Sequence, residues 1–268
     1  MNRREFIKTT VAAAGAVAFS QPLPLEAAGG GATLDREFFE LRLYHLRRGP
    51  MQRRFDDFYR DAAIPALNRA GISPVGVFSV MTGPDNPTMY VLMPHKSAES
   101  FAAATERVRA DADYRKAGAT FIDAPATDPS YVRVESSFMI AFDGIPKLEL
   151  SSLSKEKKPR MFELRTYESH SRKANQKKIE MFNVGEIAIF RRVGITPVFF
   201  GETLVGPKMP NLTYLVVFAD MADHDRAWAA FGGDPEWREL RSRPGYADAD
   251  IVSNISNVFL RPTVYSQI

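Results

Sequence analysis

The residues with the most chemical reach in this 268-residue chain come as two copies of one pattern, Glu-x-Arg-x-Tyr. Glu40, Arg42 and Tyr44 lie in EFFELRLYH, and Glu163, Arg165 and Tyr167 lie in RMFELRTYE. Side chains alternate across a β-strand, so a carboxylate, a guanidinium and a phenol spaced two apart share one face. Buried charges must be paired, and Glu–Arg partnership is the expected pairing. Two chemistries are open to such a face. It can line a polar cavity in which Arg and Tyr hold a small anionic or aromatic ligand, or it can form an internal ion-pair lattice that sets how two parts of the fold dock. Glu202, in FFGETL, is expected to join the same surface from a neighbouring strand.

Other chemistries find less support. The absence of cysteine excludes thiolate metal sites, disulfides and cysteine nucleophiles. The four histidines, His45, His95, His170 and His224, lack metal-ligand spacing, so no metal is expected and a solvated or capping role is the simpler reading of each. His45 follows Tyr44 and alternation places it on the opposite strand face, so it reads as structural or as a strand-end residue. No Gly-x-Ser-x-Gly turn and no glycine-rich nucleotide fingerprint occurs, so no cofactor is expected. Trp228 and Trp237 read as packing in a helical layer. The basic pairs Arg53-Arg54 and Lys177-Lys178 read as the solvated face of a helix.

The elements that must position the two triplets repeat as they do. A shift of 123 residues lays Phe39-Glu40-Leu41-Arg42-x-Tyr44 on Phe162-Glu163-Leu164-Arg165-x-Tyr167 and Gly71-Ile72-Ser73-Pro74-Val75 on Gly194-Ile195-Thr196-Pro197-Val198. A duplicated unit of roughly 105 residues is the size of a small domain, not of a solenoid repeat. In each copy an alternating strand leads to a helix that stops at glycine (Gly71, Gly194), and Pro65 is expected to kink the first of these helices. Two strands follow across a Gly-Pro turn. A second helix is capped by Ser97 or Asp220, and a last strand closes the copy. Asp234-Pro235 opens a short extra helix in the second copy.

The order βαββαβ is the ferredoxin-like arrangement, which covers one sheet face with helices and leaves the other bare. Two linked copies bury the bare faces against each other. The fold class expected is therefore α+β: two tandem ferredoxin-like units, residues 38–143 and 161–262, forming an intrachain pseudo-dimeric α/β barrel. A polar surface linker spans 144–160. If Leu41, Leu43, Phe162 and Leu164 face the helices, both triplets face the barrel interior.

The stretches FELRTYESHSRKANQKKIEMFN, FRRVGITPVFFGETLVGP, PNLTYLVVFADM, DPEW and IVSNISNVFLRP resemble the NIPSNAP family, and the first copy resembles it through FFELRLY, GISPVGVF and ESSFMIAF. The resemblance implies the dimeric α/β-barrel superfamily fold and brings no catalytic residues with it.

Residues 1–27 carry a different message. Arg3-Arg4 before a mildly apolar run from Thr9 to Phe19 resembles a twin-arginine signal, with cleavage after Ser20 or Ala27. The expectation is a periplasmic or secreted protein with no integral membrane segment after cleavage. Removing Arg3, Arg4, Lys8 and Glu5 takes the net charge from +3 to +1, which gives no electrostatic case for nucleic acid. A small-molecule-binding module with a polar barrel interior heads the functional expectations. A monooxygenase-like enzyme of the superfamily and a structural or assembly protein with a filled barrel follow, the last with a homodimer through exposed edge strands as a further option.

Overall fold

The computed structural model describes residues 35–83 and 86–268; the segment read as a signal, 1–27, lies outside them. The first half runs β1 (Phe38–His45), α1 (Pro50–Phe58), α2 (Ile64–Arg69), β2 (Gly76–Val80), β3 (Thr88–His95), α3 (Ala98–Ala110), α4 (Ala112–Ile122) and β4 (Arg133–Ala141). After α5 (Ser152–Lys155) the second half repeats the series. It comprises β5 (Met161–Glu168), α6 (Arg172–Met181), α7 (Ile187–Val193), β6 (Thr196–Val205), β7 (Asn211–Phe218), α8 (Met221–Gly233), α9 (Pro235–Ser242), α10 (Asp248–Ile251) and β8 (Asn254–Pro262).

Local chemistry accounts for the helix boundaries. Ser97 and Asp220 cap α3 and α8, their side-chain oxygens accepting the backbone N–H groups of Ser100 and Asp223. Asp234 caps α9 through Trp237 N–H, and Asp111 does the same for α4 through Tyr114 N–H, so the first half also has the extra helix expected only in the second. Gly71 and Gly194 take φ of +84° and +93°, the left-handed region that ends a helix cheaply only at glycine. A π-helical turn joins α1 to α2 over Tyr59–Ala63 and α6 to α7 over Phe182–Glu186. Pro65 is not its cause, because the second copy makes the same turn with Ala188 at the matching position.

The strands close into one antiparallel barrel in the order β1-β3-β2-β8-β5-β7-β6-β4. Each half supplies four strands, and the halves join where β2 meets β8 and β4 meets β6. Every strand is thus paired on both sides, so among the described residues no free sheet edge is left of the kind that was offered as an option for a homodimer.

The register settles which strand face is which, and it reverses the expectation. Phe39, Leu41, Phe162 and Leu164 point inward and meet Phe199, Leu215 and Leu260 in one buried cluster that draws on both halves. Tyr44 belongs instead to the cluster under the first-half helices, with Phe55 and Tyr59, and Tyr167 to that under the second-half helices, with Phe182 and Tyr214. An eight-stranded barrel has an interior just wide enough for side chains to fill, closed to water on all sides. The apolar set gains most there, at roughly 1.5–3 kcal/mol per fully buried side chain. Charged triplets placed there would have been desolvated completely, including the arginines, which keep part of their exposure on the helix side. The helix-covered face, with seams between its helices, takes the polar set. Docking of the halves consequently rests on apolar packing, two strand pairings and hydrogen bonds from the C-terminal segment, such as that from the Tyr265 hydroxyl to Asp56, and among the described residues no ion-pair lattice joins the halves.

Two further expectations change. The segment 144–160 is not wholly a surface linker: Leu148, Leu150 and Leu153 pack against the barrel core. Lys178 does not sit on a solvated helix face. Its side chain is 1% exposed, with Nζ 3.1 Å from Glu186 Oε2 and 3.4 Å from Asp248 Oδ1.

Candidate functional site

In the first half, β1 lies between β3 and β4 and presents Glu40, Arg42 and Tyr44 toward the helices. Glu40 takes a bidentate guanidinium from Arg42, with Nε to Oε1 at 2.5 Å and Nη2 to Oε2 at 3.0 Å. Ser136, on β4 opposite Arg42, donates its hydroxyl to Glu40 Oε1 at 2.8 Å. Burial works against ionisation of Glu40, yet the neighbouring His95 ring, the Arg42 guanidinium and the Ser136 hydroxyl outweigh it and hold the carboxyl at about 2. His95, at the end of β3, is 2% exposed and places Nε2 3.8 Å from Glu40 Oε2, outside hydrogen-bond range. Neither of its ring nitrogens has a hydrogen-bond partner among the described residues.

These groups line a cavity of about 420 Å3 between the sheet and α2, α3 and α4. Tyr44, Tyr114, Leu67 and Val108 form its aromatic and aliphatic walls, and the exposed side chains of Ile122, Tyr131 and Val134 stand at its rim. An apolar pocket with a few convergent polar groups is the ordinary form of a small-molecule site. Orphaned buried nitrogens are uncommon in native structures, and His95 has two of them on the wall of this cavity.

The depressed carboxyl has a testable consequence. Glu40 stabilises the fold in full above its ordinary value of 4.5, and that contribution is lost as pH falls from there toward about 2. Urea unfolding of wild type and Glu40→Gln at pH 5 and pH 3 should show the wild type losing more stability over this interval. Equal losses would mean that the Arg42 pair does not hold the carboxylate.

In the second half the same positions are occupied and filled. Arg165 Nη1 donates to Glu163 Oε1 at 2.7 Å and Nη2 to the Tyr167 hydroxyl at 3.3 Å. Asn257, the counterpart of Ser136 on β8, donates to Glu163 Oε1 at 3.1 Å. The other oxygen, Oε2, accepts the Trp228 indole N–H at 2.9 Å and has His224 Nε2 at 3.3 Å. The Arg165 guanidinium stands 4.7 Å from the Trp228 ring centroid, a cation–π contact. Each half thus sets a histidine and a phenylalanine edge-on beside its glutamate, with the two types exchanged. His95 on β3 faces Phe101 on α3 at 5.4 Å, whereas Phe218 on β7 faces His224 on α8 at 5.0 Å.

Both triplets therefore form sites of their own, on the helix side of the sheet and not in the barrel. Glu202 joins neither. It is half-buried on β6 in the same cross-strand row as Tyr167 and Leu212, two strands and so roughly 10 Å from Tyr167. His95 and His224 were expected to be solvated or capping and are instead the nearest titratable rings to the two carboxylates. His45 sits at its strand end as expected, with Nε2 3.1 Å from Glu135 Oε1. The 123-residue shift, carried on through the second helix, pairs Thr105 with Trp228, Tyr114 with Trp237 and Phe101 with His224.

The NIPSNAP family model matches residues 39–140 and 162–267, one copy in each half. The chain belongs to the NIPSNAP family. No curated protein sequence matches this NIPSNAP chain. Among solved structures it is similar to a candidate monooxygenase from Lactobacillus acidophilus, with TM-score 0.55 and 9% identity over 85% of this chain and 94% of the other. A candidate monooxygenase from Fusobacterium nucleatum gives TM-score 0.54 and 9% identity over 85% and 93%. A NIPSNAP-like domain protein from Burkholderia xenovorans is 23% identical over 40% of this chain and 88% of its own, with TM-score 0.36. The first two likenesses show a shared fold, the closed α+β barrel of two tandem units.

Proposed function

We propose that this NIPSNAP chain is a small-molecule-binding protein whose site is the first-half cavity between the sheet and its helices. One observation carries the reading: a cavity of about 420 Å3 has Glu40, Arg42 and the hydrogen-bond-deficient ring of His95 on its wall, amid aromatic side chains. The Glu40–Arg42 pair is internally neutral, so the site suits an uncharged or weakly polar aromatic molecule better than a strongly anionic one. Export rests on the leader alone, and fractionation of cells expressing the full chain tests it: the protein in the cytoplasm with its leader intact would count against it.

Native mass spectrometry of the purified protein asks whether a small molecule is retained. Arg42→Lys keeps a cation against Glu40 but loses the planar, two-pronged guanidinium. It is expected to reduce retention or affinity about tenfold while leaving the melting temperature nearly unchanged. Retention equal to wild type would remove Arg42 from the site. A catalytic reading draws support from the descriptions of the two fold neighbours as candidate monooxygenases. Under that reading the bound aromatic molecule would be consumed together with dioxygen, and oxygen uptake measured with an oxidisable phenol separates a catalyst from a binder.

A further inference from the structure

We infer that the first-half cavity takes a planar aromatic molecule carrying an N–H or O–H donor, seated where the second half seats its own Trp228. The inference deepens the binding reading given above and rests on it. The two halves superpose in sequence without a gap from Ser97 to Asp111 and from Asp220 to Asp234, which makes Thr105 the counterpart of Trp228. Trp228 touches Glu163 through its N–H, Arg165 through its ring face, and Phe190 and Phe231 edge-on at 5.5 Å and 5.6 Å. The counterparts of these four residues are Glu40, Arg42, Leu67 and Val108, and all four line the cavity. Where the second half has an indole, the first has an exposed threonine and open volume, bordered by smaller side chains at two of the four positions.

The hydrogen bonds show the same exchange. In the filled half Arg165 leaves Glu163 Oε2 to the indole N–H and turns its second nitrogen to the Tyr167 hydroxyl. In the open half Arg42 is folded onto both oxygens of Glu40. A carboxylate has about four acceptor sites, and among the described residues Glu40 Oε2 receives only the Arg42 Nη2 hydrogen bond. A ligand donor entering there would complete the arrangement that Trp228 completes in the second half, with His95, buried and lacking hydrogen bonds, as a further partner. The guanidinium face would lie against the ligand ring as it lies against the indole. Thr105 is in this view the residue that keeps the site open, and the ligand class can be read from the side chain that closes its twin.

Isothermal titration calorimetry of the full chain with indole tests this, using N-methylindole as the analogue without a donor and benzoate as an anionic aromatic. Indole is expected to bind one per chain, and N-methylindole about tenfold or more weaker, because a hydrogen bond to a charged acceptor is lost. Thr105→Trp is expected to abolish indole binding by supplying the ring from within. Val108→Phe, which copies Phe231, does so by narrowing the cavity if the first variant does not fold. N-methylindole binding as tightly as indole would overturn the donor assignment. Benzoate binding that Thr105→Trp or Val108→Phe blocks, with no binding of indole, would overturn the ligand class while leaving the cavity as a binding site. If neither variant alters the binding of any probe, or of whatever the purified protein retains, both the inference and the binding reading fall.

Discussion

Glu163→Ala should lower the unfolding free energy by about 3–5 kcal/mol, the usual cost of stripping one partner from a buried ion pair. Glu163 is wholly buried and receives Arg165, Asn257 and Trp228, with His224 alongside. Without it, the Arg165 guanidinium, 17% exposed as a side chain, keeps only a hydrogen bond to a tyrosine hydroxyl and its aromatic neighbours, and the indole N–H loses its acceptor. Glu40→Ala in the first half should cost distinctly less, although the two residues are copies. Arg42 is 29% exposed on a cavity wall, where water can solvate it once its partner is gone. Denaturant unfolding of the two variants side by side measures the difference. Equal losses would show that the cavity does not solvate Arg42, and with that the distinction between an open and a filled half would fail.

The second large effect concerns Lys178 and Glu186. Both are essentially sealed from water, at 1% and 2% exposure, and the ammonium lies 4.9 Å from the Phe182 ring centroid and 5.5 Å from those of Tyr167 and Trp237. Burial opposes the charge on Lys178, but Glu186 and Asp248 more than offset it and raise its pKa. Lys178→Ala leaves a carboxyl in an apolar pocket and should again cost about 3–5 kcal/mol. The chain itself offers the apolar alternative, because the first half places Phe55 and Ala63 at the matching positions. The double variant Lys178→Phe with Glu186→Ala should therefore recover most of the loss, as replacement of buried pairs by packed hydrophobic groups often does. A double variant no more stable than Lys178→Ala would mean that the pair does more than fill its space. Unfolding midpoints of the wild type, the single and the double variants decide the matter.

Much of this molecule follows from local rules. The duplication is visible as a constant register, and the helix caps at Ser97, Asp220 and Asp234 follow from residue type because each makes its bond within three residues. The grouping of Glu40 with Arg42 and Tyr44, and of Glu163 with Arg165 and Tyr167, needs only the two-residue period of a strand. The pairing of each glutamate with the arginine two positions on is likewise local. What escaped is of another kind. His95 and Ser136 reach Glu40 from strands separated from it by 55 and 96 residues, and Thr105 means nothing until it is set beside Trp228.

By itself, the sequence determined two like units, their order of elements, and which side chains share a face. A period of two cannot say which of the two faces turns inward, because exchanging them leaves the pattern unchanged. Only closure of the barrel decided that, by making its interior a sealed space that rewards leucine and phenylalanine and leaving the seams beneath the helices to the charged residues. The same closure turned one pattern into two sites of different kind, one plugged by its own tryptophan and the other left open.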